Sequence, residues 1–290
     1  MARRRPPTVH GVVLIDKPAG MTSHDVVNIL RRHFGEKRIG HTGTLDPDAT
    51  GLLVVGVGNA TRLFRFAADM DKSYSCEIVF GTETDTLDDS GEVVAVHGMG
   101  PPDIEVVRAA IAARFVGTVM QVPPMVSAVR VDGVRLHELA RRGIEVDRQA
   151  RPVTVDSFTV AHTGDEMVLA AQIRCGSGTY IRSLAADLGR ALGGGAHIRR
   201  LRRHGVGPFT LEESSTIVEP VLLPVDTILR GVESHELSPD EIDDVLYGRV
   251  RPAWEGPGPW VGRDGSGGVV AVFERWREDL AKPTVVFGGR

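Results

Sequence analysis

Asp46 lies in Gly40-His41-Thr42-Gly43-Thr44-Leu45-Asp46-Pro47-Asp48-Ala49-Thr50-Gly51-Leu52-Leu53, a polar loop stiffened by Pro47, flanked by glycines and followed by the apolar run Leu52 to Val55. A carboxylate fixed on a turn that enters a buried strand can attack an electrophilic carbon, take a proton or stabilise a developing positive charge. Asp-Pro alone is a common surface turn, so the loop needs partners. Arg182 is one candidate. It falls near the start of a helix expected over Thr179 to Leu192, off the apolar face of Ile181, Leu184 and Leu188. From there a guanidinium can clamp a carboxylate bidentately and hold it ionised, although helix position alone also suits a solvent-facing arginine. Tyr74 alternates with Ser75 and shares the apolar side of an expected strand with Cys76, Ile78 and Phe80.

Other chemistries fit the spacing poorly. Gly56-Val57-Gly58 follows an apolar run as a dinucleotide-binding turn does, but the third glycine position is Thr61 and no acidic residue closes a second strand at the expected distance. Asp85, Asp88, Asp89 and Gly91 lack the ligand spacing of a calcium loop and read as an acidic turn. The histidines show no metal-ligand pattern, and two cysteines, Cys76 and Cys175, in strand-like runs read as buried small hydrophobes.

Charge is unevenly spread. The net charge of −4 does not suggest a nucleic-acid binder, yet Arg3, Arg4, Arg5, Lys17, Arg31, Arg32, Lys37, Arg38, Arg62 and Arg65 crowd the first part of the chain. Arg199, Arg200, Arg202 and Arg203 form a second cluster without an acid, whereas Gly231 to Gly248 carries acids and no Lys or Arg. That asymmetry fits a basic face for phosphates, and equally a solvated surface. The Arg- and Pro-rich Met1 to Thr8 lacks the apolar core of a signal peptide, and no apolar run approaches the roughly 20 residues that span a bilayer. A cytoplasmic protein with no membrane association is therefore expected.

The elements that would position these residues follow from periodicity. Val12 to Ile15 reads as a first strand, stopped by Lys17-Pro18-Ala19-Gly20. Thr22 or Ser23 can then cap a helix with Val26, Val27, Leu30 and Phe34 on one face. Asp103 caps a second helix; Val153 to Ala161 and Met167 to Cys175 read as strands; Gly193-Gly194-Gly195 ends the Thr179 helix. Gln121 to Arg151 is irregular, with an amphipathic piece around Leu136 to Arg141, and looks like an insertion that folds over a ligand. The pattern weakens over Glu212 to Ser238, where a domain boundary is expected. Short β-like runs then follow (Val269 to Phe273, Thr284 to Phe287), separated by turns. Residues 1–10 are expected to be a flexible basic N-terminus, 11–230 a catalytic domain and 231–290 a small β domain.

Five segments, in order, resemble the motifs of the bacterial tRNA pseudouridine synthases of the TruB type. They are Lys17-Pro18-Ala19-Gly20-Met21-Thr22-Ser23, the Asp46 loop, Asp71-Lys72-Ser73-Tyr74, Gly178-Thr179-Tyr180-Ile181-Arg182-Ser183-Leu184, and Gly195-Ala196-His197 through Leu201-Arg202-Arg203. The resemblance covers about Val12 to Arg203 and departs from the family at Arg62, where lysine is frequent. It implies a mixed α/β (α+β) pseudouridine-synthase fold with a mainly antiparallel central sheet, and a C-terminal β-barrel of the PUA type. It also implies isomerisation of uridine to pseudouridine at position 55 in the T loop of tRNA, with Asp46 catalytic, Arg182 its partner and Tyr74 beside the uracil. Ile181 and Leu201 would wall the pocket, Tyr180 would pack beneath it, and His41 would replace the flipped base in its stack. Lys17, Arg62, Arg199 and Arg202, with Arg31, Arg32, Arg200 and Arg203, would meet the RNA. The resemblance implies no cofactor, no metal and no protein partner; a monomer is expected, and tRNA-folding activity can coexist with catalysis. A guide-dependent synthase and a non-catalytic RNA-folding protein are the alternatives.

Overall fold

The computed structural model describes residues 6–67, 69–127, 129–131, 133–140 and 142–287. The first half of the chain gives β1 (Gly11–Lys17), α1 (Ser23–Phe34), β2 (Ile39–His41) and β3 (Thr50–Val57), then a 3₁₀ turn (Gly58–Leu63), α2 (Phe64–Ala67), β4 (Lys72–Phe80), β5 (Thr82–Thr84) and β6 (Val93–Val96). Next come α3 (Ile104–Arg114), β7 (Gly117–Gln121), β8 (Arg130–Val131), β9 (Val134–Arg135), α4 (Leu136–Ala140), β10 (Arg151–His162) and β11 (Val168–Cys175). They are followed by α5 (Ile181–Ala191), β12 (Ala196–Val206) and β13 (Phe209–Thr210). The last part holds β14 (Ser234–Glu236), α6 (Pro239–Leu246), β15 (Arg251–Pro252), β16 (Trp260–Arg263), β17 (Val269–Arg275) and β18 (Leu280–Val286).

One nine-stranded sheet runs β1-β3-β12-β4-β11-β10-β7, with β2 on β3 and β13 on β12. Every pairing in it is antiparallel except β12 with β3. The mainly antiparallel sheet of a mixed α/β fold is thus present. The apolar runs of β1 and β3 are covered on both faces, which explains why neither alternates in polarity. Val13, Ile15, Leu53 and Val55 pack with Val26, Val27 and Leu30 of α1. On the opposite face Val12, Leu14, Leu52 and Val54 pack with Val261, Val272 and Val285 of a second, five-stranded sheet, ordered β14-β16-β17-β18-β15. A separate core joins β4, β10, β11 and β12 to α3 and α5.

Helix signals in the sequence operate as expected at α1, where the Thr22 side chain and Asp25 form a reciprocal capping box, and at α3, capped by Asp103. One expectation changes. The helix read as beginning at Thr179 begins at Ile181, because Tyr180 is its extended cap (φ −100°, ψ 109°): its N–H is held by the Gln121 amide, and its carbonyl accepts from both Gln121 and the Leu184 N–H. The segment expected to separate two domains is irregular but docked. Ser215 bonds with Leu14 and Asp16, and Leu223 with Val12, along the free edge of β1. Of the N-terminal stretch, Arg3, Arg4 and Arg5 lie outside the described residues, as does Arg141; Thr8 donates its N–H to Glu36.

The parallel junction of β3 with β12 depends on Gly51. Its φ is +103°, and a Cβ there would sit 2.2 Å from the Arg203 carbonyl oxygen. Gly51→Ala is expected to destabilise the fold by roughly 2–5 kcal/mol, through backbone strain and a clash with main chain that cannot yield. Urea denaturation measures this, and a loss below about 1 kcal/mol would contradict the close approach.

Candidate active site

Two neighbours of Asp46 are fastened before Asp46 itself has any partner. Lys17, at the end of β1, is fully buried, and its Nζ donates to the carbonyls of Pro18 (2.9 Å), Met21 (2.7 Å) and Pro47 (2.8 Å). Burial draws its ammonium down to about 8, with Asp48 opposing, so it still carries its proton at neutral pH. Ser23, the first residue of α1, donates Oγ to the Leu45 carbonyl (3.1 Å) and accepts from the Leu45 N–H (2.9 Å). The residues before and after Asp46 are thus tied to opposite ends of the β1–α1 turn.

Arg182 meets Asp46 from the first turn of α5. Its Nε lies 2.9 Å from Asp46 Oδ2, and its Nη2 donates to Oδ1 at 3.1 Å, which is the bidentate geometry. The same guanidinium donates to the carbonyls of Thr86 (2.7 Å) and Val126 (2.8 Å), and Asp88 Oδ2 stands 3.7 Å from Nε. Asp88 is itself held by the hydroxyls of Thr86 and Ser90, both 2.6 Å from Oδ1. The Arg182 side chain is 3 % exposed and that of Asp46 36 %, so the carboxylate is open only toward its cavities. Burial pushes the Asp46 pKa up, Arg182 pulls it back, and Asp88 pushes it up again; the net direction is upward. At the base of the site Gln121 clasps the Tyr180 backbone (3.0 and 2.8 Å), and Ser183 donates to the Val122 carbonyl (3.2 Å). The segment leaving β7 is thereby locked along the start of α5.

The larger cavity, about 270 Å³, is lined by Asp46, Tyr74, Tyr180, Ile181, Leu201 and Arg203 among others. A smaller one, about 150 Å³, lies against Asp46, Asp88, Arg182 and Leu201. Leu201 reaches both because β12 is bulged: Arg199 pairs with Glu77 and Arg202 with Ser75, so Arg200 and Leu201 oppose one residue, and Arg200 takes φ +55°. Burial raises the Tyr74 pKa, with Arg203 acting against it, so Tyr74 remains a neutral phenol. His41, on β2, lies outside both linings; burial and then Arg203 lower its pKa and keep the imidazole neutral.

The basic residues divide. Lys17 is not available to a substrate, because every N–H of its ammonium is used inside the protein; this corrects its expected contact with RNA. Arg203 lines the larger cavity rather than a phosphate-facing surface. It is 2 % exposed, with Nε on the Leu52 carbonyl (2.7 Å) and Nη2 on that of Gly43 (3.2 Å). Arg199 and Arg200 both pair with Glu77 (2.6 and 2.7 Å), Arg202 with Asp16 (2.7 Å), and Arg62 reaches the Val286 carbonyl of β18 (3.3 Å). Sequence spacing brought out Asp46, Tyr74 and Arg182 but missed Ser23, Gln121 and Asp88. The acidic turn around Asp88 was visible, but nothing in the sequence indicated that it folds back onto Arg182.

Known proteins with this sequence pattern are numerous. The family profile described as TruB family pseudouridylate synthase (N terminal domain) matches residues 31–181, and that described as tRNA pseudouridylate synthase B C-terminal domain matches 182–220. The chain is 43 % identical to the tRNA pseudouridine synthase B of Thermobifida fusca, over 96 % of this chain and 99 % of that one. It is 48 % identical to that of Symbiobacterium thermophilum, over 84 % of each. Among solved structures, a Cbf5-Nop10-Gar1 complex aligns with TM-score 0.73 at 22 % identity, covering 96 % of this chain and 84 % of that chain. An H/ACA RNP bound to a substrate RNA containing 2′-deoxyuridine aligns with TM-score 0.72 at 20 %, covering 97 % and 86 %. These two likenesses show the fold.

With its pKa raised on folding, Asp46 binds a proton more tightly in the folded than in the unfolded chain. It therefore subtracts stability as pH rises through the window between the two values. Asp46→Asn, which keeps an acceptor for Arg182, is expected to leave the neutral-pH Tm unchanged or higher; a fall of several degrees in a thermal melt would contradict this. Lys17→Met strands three buried carbonyls and is expected to cost on the order of 2–4 kcal/mol in urea denaturation. It should also slow catalysis by freeing Pro47.

Proposed function

The chain belongs to the TruB family of pseudouridylate synthases, and on that premise we propose that it converts uridine to pseudouridine at position 55 in the T loop of tRNA, with Asp46 as the reacting carboxylate. The observation that carries this reading is the bidentate Arg182–Asp46 pair, opening on a cavity that Tyr74 also lines. The reaction breaks the N1–C1′ bond, turns the uracil, and joins C5 to C1′; C5 gives up its hydrogen and N1 gains one. It is an isomerisation that needs no cofactor or metal.

Asp46, kept ionised by Arg182, meets the positive charge that develops at C1′. Tyr74 stacks on the detached base, and Ile181 and Leu201 confine its rotation while Tyr180 supports the floor. The target must leave its stack, at a cost of a few kcal/mol. The neutral ring of His41, next to Thr42 of the cavity lining, refills the vacated space. Arg199 and Arg202 exchange Glu77 and Asp16 for phosphates, Arg62 adds a contact near the second sheet, and the 121–151 insertion closes over the RNA. The protein works as a cytoplasmic monomer, and opening the T loop lets it also act on tRNA folding.

Tritium release from tRNA labelled at uridine C5 tests this directly. About one equivalent per tRNA is expected from the wild type, and none from Asp46→Asn or when the T-loop uridine is replaced. Release from a different uridine would overturn the assignment of position 55. Binding without release would overturn the enzymatic reading in favour of an RNA-folding protein or one that needs a guide.

A further inference from the structure

Arg203 differs from the other arginines of β12. Arg199, Arg200 and Arg202 each hold a carboxylate, whereas Arg203, 2 % exposed, donates to the carbonyls of Leu52 and Gly43, bonds the Tyr74 hydroxyl, and forms no ion pair among the described residues. A buried guanidinium without a counter-charge is unfavourable unless an anion arrives during function. Arg203 lines the larger cavity with Tyr74, its cross-strand partner in the β4–β12 register. Lys72 lines the same cavity. Asp46 and Arg182 line it too, whereas Asp88 lies against the smaller cavity. The cavity thus holds one ion-paired carboxylate, Asp46, and a buried guanidinium, Arg203, that forms no ion pair among the described residues.

Heterolysis of a glycosidic bond separates charge. The bonding pair leaves with N1, so the detached uracil is an anion, with charge shared among N1, O2 and O4, while C1′ is left electron-poor. When C5 attacks C1′ the pair is returned, the C5 proton is lost, and N1 takes up a proton, so the sum is an isomerisation. We propose that Arg203 is the fixed cation that stabilises the departing uracil anion, in the cavity whose carboxylate, Asp46, faces C1′. This rests on the larger cavity being the uridine pocket. Donors and charges already oriented toward developing charge need no reorganisation, and losing one typically slows a reaction about 10²–10³-fold.

The test uses the leaving group. Fluorine at C5 makes the N1 anion more stable, so a tRNA with 5-fluorouridine at the target depends less on an external cation. Single-turnover loss of the N1-linked nucleoside is followed chromatographically after digestion, with Kd for tRNA and Tm measured in parallel. Arg203→Gln, which keeps a donor for the carbonyls, is expected to slow uridine about 100-fold or more. It should slow 5-fluorouridine by a factor roughly tenfold smaller, with Kd and its salt dependence unchanged. Arg203→Lys, which keeps the charge but not the fork, should retain most of the uridine rate. Equal slowing of both substrates, or a lysine variant as slow as the glutamine variant, would make Arg203 a structural residue and overturn the proposal. A changed salt dependence would overturn it in favour of a phosphate contact. If Arg203→Gln fails to fold, the lysine variant decides alone, because a purely structural fork is lost in it too. Failure of the wild type to rearrange either target would instead discard the uridine-pocket reading.

Discussion

Burial and ionisation pull Asp46 in opposite directions. A carboxylate taken out of water reverts toward its neutral acid unless a cation stays beside it, and a cation that moves does not hold a pKa. Arg182 resolves this by being more confined than the group it serves. Its side chain is nearly inaccessible, two of its donors end on the main chain at Thr86 and Val126, and Asp88 steadies its remaining flank. Asp88 makes the compromise visible, because it helps fix Arg182 while adding a like charge that works against Asp46. A charge partner alone would not suffice; here electrostatics and mechanical support come from the same hydrogen bonds.

That support is distributed over distant parts of the chain. Lys17 and Ser23 secure the residues on either side of Asp46, Gln121 secures the helix start that carries Arg182, and the bulge at Arg200 turns Leu201 toward the same space. Lys17, Ser23 and Gln121 are buried polar groups whose partners here are backbone atoms. Such contacts fix geometry without adding chemistry of their own, and they make a loop as rigid as the strands that flank it.

Legibility in the sequence followed from how local each signal was. α1, α3 and the strands flanking Asp46 were legible because apolar period and capping residues act within a few positions. Tyr74 was placed on its strand face by alternation alone, and the Asp46 loop and the helix of Arg182 stood out as possible partners. The clasp of Gln121 on Tyr180 joins residues 59 positions apart, and Asp88 reaches Arg182 only after the β5–β6 hairpin folds back. Neither has a periodic signature. The arginines were the hardest to read, since Arg199, Arg202 and Arg203 look alike in sequence. Their fates, two ion-paired and one interred, depend on which carboxylates neighbouring strands present.

The apolar layer that β1 and β3 share with Val261, Val272 and Val285 has a consequence for how a large substrate is measured. Domains joined by flexible linkers adapt to their cargo by swinging, whereas two sheets that bury one another's hydrophobic faces cannot separate without exposing both. The span between Asp46 and the outer strands of the second sheet is then a property of the folded chain. A nucleic acid that touches both ends is gauged by a rigid caliper.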